Sequence, residues 1–203
     1  MASAVIALSA VTVTDRAAWF VATVPSVEVP DEIVELAPWS STGLIQSGDS
    51  HVLDGMHTDT CTPANGGGSY NQGMMIDGLV EYWQATGTAA ALTKATGIGD
   101  MLLNTSYYKA SGIMRDGCEA GSGVCAGGEN FKATAIRGLA ALNRVLSSHP
   151  YSSYISTNAT TMFANDKTPL SQYGLKWNGP VSVTGVGSQS AAVELFNATH
   201  LNP

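Results

Sequence analysis

The chain has 203 residues, 44% of them hydrophobic and only 12% charged, enough apolar material for one sizeable core and too much for a disordered polymer. Nine basic against sixteen acidic residues give a net charge of -7, a field that repels nucleic-acid phosphates and offers no basic patch to anionic lipid. No apolar run reaches the roughly 18 residues that span a bilayer, so the balance suits a neutral substrate, with no nucleic acid and no membrane span.

Residues 1–35 differ in texture from the rest, being rich in Val and Ala with Pro25 and Pro30 as helix breakers. They are read as an atypical N-terminal segment, and 36–203 as the domain proper. Residues 4–13 form a short apolar stretch of signal-peptide type, but nothing basic precedes it and Asp15-Arg16 follows. The clearest helix is predicted from Tyr70 to Thr86, with Met75, Leu79 and Trp83 in one row, Ser69 as cap and Gly87 as stop. A second runs from Ala89 to Tyr108, interrupted by Gly97 and Gly99, and a third from Glu129 to Leu146 on the stripe Phe131, Ile136, Leu139, Leu142 and Val145. Two more follow, Tyr151 to Ala164 and Ser188 to Leu201. The fold class is therefore all-α, with helical hairpins laid side by side as in a toroid or a repeat array.

Cys118 and Cys125 flank a Gly-rich stretch that bends enough to close a loop disulfide, which leaves Cys61 over. The triplets beginning at Asn104, Asn158 and Asn197 are N-glycosylation acceptors in a secretory lumen, so a secreted or cell-wall location is expected. His51, His57, His149 and His200 lack metal-ligand spacing, and no phosphate-binding Gly loop or nucleophile elbow is present. No metal or cofactor is expected.

Several ordered blocks carry a family likeness: Gly43-Leu44-Ile45, Val52-Leu53-Asp54-Gly55 and Cys61, then Ser69-Tyr70-Asn71-Gln72-Gly73. They continue with Cys118 and Cys125, Asn130-Phe131-Lys132, Arg137-Gly138-Leu139, Tyr173 through Pro180, and Gln189-Ser190-Ala191. In order and spacing the chain resembles the C-terminal half of a glycoside hydrolase family 76 domain, the endo-α-1,6-mannanase type (mannan endo-1,6-α-mannosidase), over about residues 39–200. The resemblance implies part of an (α/α)6 toroid, about half of its six hairpins, and a mannan or other neutral polysaccharide as partner. Met74 through Asp77 and Ala133 depart from the family's pattern.

Cleaving a glycosidic bond with retention takes two carboxyl groups roughly 5–5.5 Å apart. The resemblance implies an adjacent Asp-Asp pair in the other half of the toroid. No Asp-Asp occurs in this sequence, and its one adjacent acidic pair, Asp31-Glu32, reads as a solvated turn. No catalytic residue is assigned. As carbohydrate contacts the reading selects Tyr70 and Trp177 for ring stacking, Asn71 and Gln72 for paired hydrogen bonds, and Asp54 and Lys132 for hydroxyl groups. The bland alternatives are a helix-entry network for Asn71 and Gln72, an anchor on a loop carbonyl or carboxylate for Lys132, and a plug in the toroid floor for Trp177. Asp77 with Glu81, and Asp116 with Glu119, read as surface or capping groups. Two rival functions stand beside an incomplete hydrolase: a non-catalytic glycan-binding module, and a structural remnant that self-associates through exposed helix flanks.

Overall fold

The computed structural model describes residues 43–201 apart from 47, 65 and 121–124. The expectations for residues 1–35, Asp31-Glu32 included, lie outside these. Five α-helices dominate the described residues: α1 (Ser69–Thr86), α2 (Ala89–Asn104), α3 (Phe131–Val145), α4 (Ser152–Asn165) and α5 (Val186–Leu201). Two small antiparallel ribbons join them, β1 (Met56–His57) with β2 (Thr62–Pro63), and β3 (Lys109–Ala110) with β4 (Ile113–Met114).

α3 is the central element, packed between α1 and α5, while α2 lies on α1 and α4 on α5. The reason is compositional: α3 buries Ile136, Leu139 and Leu142 completely and adds a row of small residues, Ala133, Ala135, Ala140 and Ala141, that admits neighbours on several sides. α1 contributes Ile76, Leu79 and Val80, α2 contributes Ile98 and Leu102, and α5 contributes Ala191, Ala192 and Leu195. In α1 the deepest row is thus Ile76 with Leu79 and Val80, while Met75 and Trp83 are only partly buried.

α1 and α3 cross at a contact between two glycines. A Cβ on Gly138 would stand 2.9 Å from the Cα of Gly73, and one on Gly73 would stand 2.6 Å from the Cα of Ala135, both closer than side chains ever come. Gly73 and Gly138 lie in two of the sequence blocks singled out above, and here they are partners.

Three features of α1 and α2 differ from the sequence reading, while the ends of α3, α4 and α5 fall within about two residues of those expected. α1 begins at Ser69 with Gly68 as its N-cap, so Ser69 is the first helical residue and not the cap. α2 runs unbroken through Gly97 and Gly99, because each glycine gives way to a neighbour: the Tyr151 hydroxyl lies where a Cβ on Gly99 would be 2.8 Å away, and Ser50 Oγ takes the corresponding place at Gly97. α2 stops at Asn104, not Tyr108, because Tyr108 is drawn inward with its ring completely buried. Gly87 does end α1, in the left-handed conformation with its N–H on Trp83 O at 2.7 Å.

Candidate functional site

The first turns of α1, α3 and α5 meet at one end of the helix layer. A Cβ on Gly68 would touch the rings of Tyr70 and Phe131, and one on Gly187 would stand 2.8 Å from Cβ of Glu129. Tyr70 and Phe131, each at the start of its helix, stack with centroids 4.4 Å apart, a pairing worth about 0.5–1.5 kcal/mol beyond burial.

Above them Asp54 is exposed, on the loop leading into β1, and its Oδ1 accepts two hydrogen bonds, from the Tyr70 hydroxyl and from Asn71 Nδ2 at 2.9 Å. Backbone bonds hold the loop: Asp54 N–H donates to Gly66 O at 3.2 Å and Ala64 N–H to Gly55 O at 2.8 Å. The Tyr70 hydrogen bond, and then that of Asn71, stabilise the ionised carboxylate and hold the Asp54 pKa below its ordinary value. The same bond pushes the Tyr70 phenol up. Asn71 also accepts from Gly68 N–H at 2.7 Å, so one amide caps the helix and orients a surface carboxylate. Of the sequence-selected contacts, Asp54, Tyr70 and Asn71 form one cluster.

The other three do not reach the surface. Gln72 is fully buried: its Oε1 accepts from Val52 N–H at 2.8 Å, and its Nε2 donates to Val52 O at 2.8 Å and to the Tyr108 hydroxyl at 3.0 Å. It ties the 44–53 hairpin to α1 as a strand neighbour would. The Tyr108 hydroxyl gives its proton to Gly67 O at 2.8 Å and lies 2.8 Å from His51 Nε2; partial burial draws the His51 imidazole below its ordinary pKa. Gly67 is thus a packed element of the site wall, not a free loop.

Lys132 is 1% exposed. Its Nζ pairs with Glu119 Oε1 at 2.9 Å, donates to Leu175 O at 2.5 Å and sits 4.4 Å from the centroid of the Trp177 ring. Carboxylate and carbonyl anchor are therefore both its work, and no sugar can reach it. Burial pushes the Glu119 carboxyl up and the Lys132 ammonium down, each opposed by the other's charge. Trp177 is 0% exposed, with the Lys132 ammonium over its ring, so that ring offers no stacking face. Beside this group Asp166 is wholly buried with neither carboxylate oxygen hydrogen-bonded among the described residues, and burial pushes its pKa up to about 7.

Cys118 and Cys125 are disulfide-bonded, and Cys61 is an exposed free thiol between β1 and β2. Of the three glycosylation triplets, Asn104 and Asn197 are exposed, but Asn158 is 0% exposed and receives Met114 N–H on Oδ1 at 2.7 Å while its Nδ2 donates to Tyr154 O at 2.8 Å. A glycan on Asn158 is incompatible with this fold. Asp116 and Glu119 are not surface groups either: both are buried, and Asp116 does act as a cap, on α1. Asp77 instead faces Arg137 across the α1 and α3 flanks at 3.8 Å, both partly exposed. An open pocket of about 740 Å³ lies at the start of α5, lined by the 171–172 and 184–185 segments and by α5 residues such as Val186, Gln189 and Glu194.

Helices paired side by side, with the first turns of α1, α3 and α5 at one end, define the class: part of an α/α toroid. Residues 33–203 match the Glycosyl hydrolase family 76 model, and the chain belongs to that family. Among solved structures it is similar to the GH76A α-1,6-mannanase of Salegentibacter sp. HEL1_6, with TM-score 0.71 and 20% identity over 86% of this chain and 54% of that one. An inactive variant of the same mannanase, with two adjacent aspartates replaced and α-1,6-mannotetrose bound, gives the same figures. The Lin0763 protein of Listeria innocua matches with TM-score 0.71 and 18% identity, over 84% of this chain and 48% of that one. The chain thus spans about half the length of these structures, as expected for part of the toroid. No curated protein sequence matches it.

Proposed function

We propose that these residues form one wall of a mannan-binding groove, with Asp54, Tyr70 and Asn71 as its hydrogen-bonding face. The observation that carries the reading is the exposed Asp54 carboxylate. Both of its internal bonds fall on Oδ1, which leaves Oδ2 to accept from a sugar hydroxyl, while the Tyr70 ring edge supplies an apolar surface beside it. The low charge content of the whole chain suits a neutral polysaccharide, and the α-1,6-mannotetrose bound in the family relative supports that class.

Cleavage is a separate matter. Within these 203 residues there is no adjacent Asp pair; of the described carboxylates near the rim Asp54 is exposed, Glu129 is half-buried, and Asp116 and Glu119 are buried in structural bonds. On this reading the described wall serves binding, and hydrolysis with retention takes a pair of carboxyl groups roughly 5–5.5 Å apart that none of these residues is assigned to supply. The disulfide and the exposed acceptors Asn104 and Asn197 support a secreted or cell-wall setting.

The test is calorimetric titration of the purified chain with α-1,6-mannotetraose, beside a reducing-end assay on α-1,6-mannan. Binding without release of reducing ends is expected, with affinity falling about tenfold in Tyr70→Phe while stability changes by less than about 1 kcal/mol. Turnover by the chain alone, lost when one of its own carboxylates is neutralised, overturns the division of labour. Absence of binding overturns the groove assignment.

A further inference from the structure

Beneath the exposed cluster lies a buried set of groups that the proposed binding face does not use. α1 opens on Gly68, which has no side chain to cap with, and its first turn holds no acidic residue. The Ser69 amide would be left without a partner. It is met instead by a residue 47 positions later: Asp116 Oδ2 accepts Ser69 N–H at 2.9 Å and the Ser69 hydroxyl at 2.5 Å. The other oxygen of Asp116 takes Gly117 N–H at 2.8 Å, and the Asp116 N–H donates to Glu119 Oε1 at 2.7 Å. That Glu119 oxygen is the one paired with Lys132 at 2.9 Å.

Ser69 precedes Tyr70 in α1, and Lys132 follows Phe131 in α3. The single turn of 3-10 helix Gly117–Ala120, with Asp116 at its head, thus clips the first turn of α1 to the first turn of α3. Cys118 sits inside that turn and is bonded to Cys125, close before α3. We propose that Asp116 is a positioning residue for the binding face, holding Tyr70 against Phe131 and Asp54, and that the Cys118–Cys125 disulfide keeps it in place. This rests on the groove reading above.

The clip acts locally. From Gln72 onward α1 is fixed, first by the Gln72 bonds to Val52 and Tyr108 and then by the glycine contact with α3, so loss of Asp116 frees the first residues, Tyr70 and Asn71 among them, and leaves the seam closed. Asn at 116 is nearly isosteric, yet it turns one acceptor oxygen into a donor that opposes either Ser69 N–H or Gly117 N–H. Ser69→Ala removes only the hydroxyl bond. A serine pair at 118 and 125 opens the covalent loop and leaves Asp116 itself intact.

The experiment uses the full 203-residue chain as wild type, Asp116→Asn, Ser69→Ala and Cys118→Ser/Cys125→Ser. Three quantities are read: amide hydrogen exchange at 69–72 against 135–142, the Tyr70 phenol titration obtained by subtracting the Tyr70→Phe spectrum, and mannotetraose affinity. In each variant exchange at 69–72 is expected to rise while 135–142 stays protected, the Tyr70 phenol to titrate at lower pH once released from Asp54, and affinity to fall on the order of tenfold. Should Asp116→Asn not fold, Ser69→Ala and the serine pair decide. Unchanged exchange at 69–72 and an unchanged Tyr70 titration in the folded variants overturn the proposal. A wild type that binds no mannotetraose overturns the groove reading instead, and the first two readouts still judge the clip.

Discussion

The seam between α1 and α3 and the rim at their first turns are built from the same sequence blocks by opposite means. At the seam Gly73 meets Gly138 and nothing intervenes, so the contact is set by backbone thickness alone. Three residues earlier Tyr70 and Asn71 face outward and are held by hydrogen bonds that originate in remote segments, at Asp54, Asp116 and Tyr108 through Gln72. Ser69–Tyr70–Asn71–Gln72–Gly73 thus contains two outward residues, two buried polar anchors and one packing glycine. A block that marks a family is not by that fact a binding site; burial decides which of its members touch ligand.

The contrast is broken most severely at the buried pair. Lys132→Met leaves Glu119 without its counter-ion in the core, and a loss of about 3–5 kcal/mol is expected by urea denaturation; adding Glu119→Gln should restore part of it. At the seam Gly73→Ala drives a Cβ into Thr134 and Ala135, and about 3 kcal/mol is expected to be lost. Adding Gly138→Ala should cost less than the sum, since the two share one contact.

A smaller effect concerns Asp166, whose carboxyl burial pushes up to about 7 from 3.8, with Lys132 opposing and Glu119 adding. The folded state then binds this proton more tightly than the unfolded chain, so stability is greatest below about pH 4 as far as this group is concerned and falls as pH rises to about 7, by a few kcal/mol at most. Above that the cost is constant. Asp166→Asn should flatten this slope in thermal melts across the interval, and a slope unchanged by the substitution would remove Asp166 from the account.

Helices were legible because apolar periodicity is read locally: the α3 stripe of Ile136, Leu139 and Leu142 is the core itself. Helix ends were less so, because they depend on distant partners. Gly68 serves as N-cap only since Asn71 and Asp116 satisfy the first amides, and α2 tolerates Gly99 only because the Tyr151 ring fills the space beside it. Of the residues the sequence groups as carbohydrate contacts, the structure brings Asp54, Tyr70 and Asn71 together at the surface, while Gln72, Lys132 and Trp177 lie underneath. A residue's family block says that it matters without saying which way it points. Asp116, Glu119 and Tyr108 drew no site assignment, and their one local signal was the pair of acids astride Cys118.

The glycine crossing has a consequence for anyone reshaping the groove. It lies less than one helical turn from Tyr70 and about two turns from Phe131, so it works as a fulcrum with arms of unequal length. A methyl inserted there would splay the two aromatic tips apart, whereas bulk added at the tips would only crowd them. Widening the proposed groove is therefore better sought by adjusting the pivot, with compensation in the facing helix, than by trimming Tyr70 or Phe131 themselves.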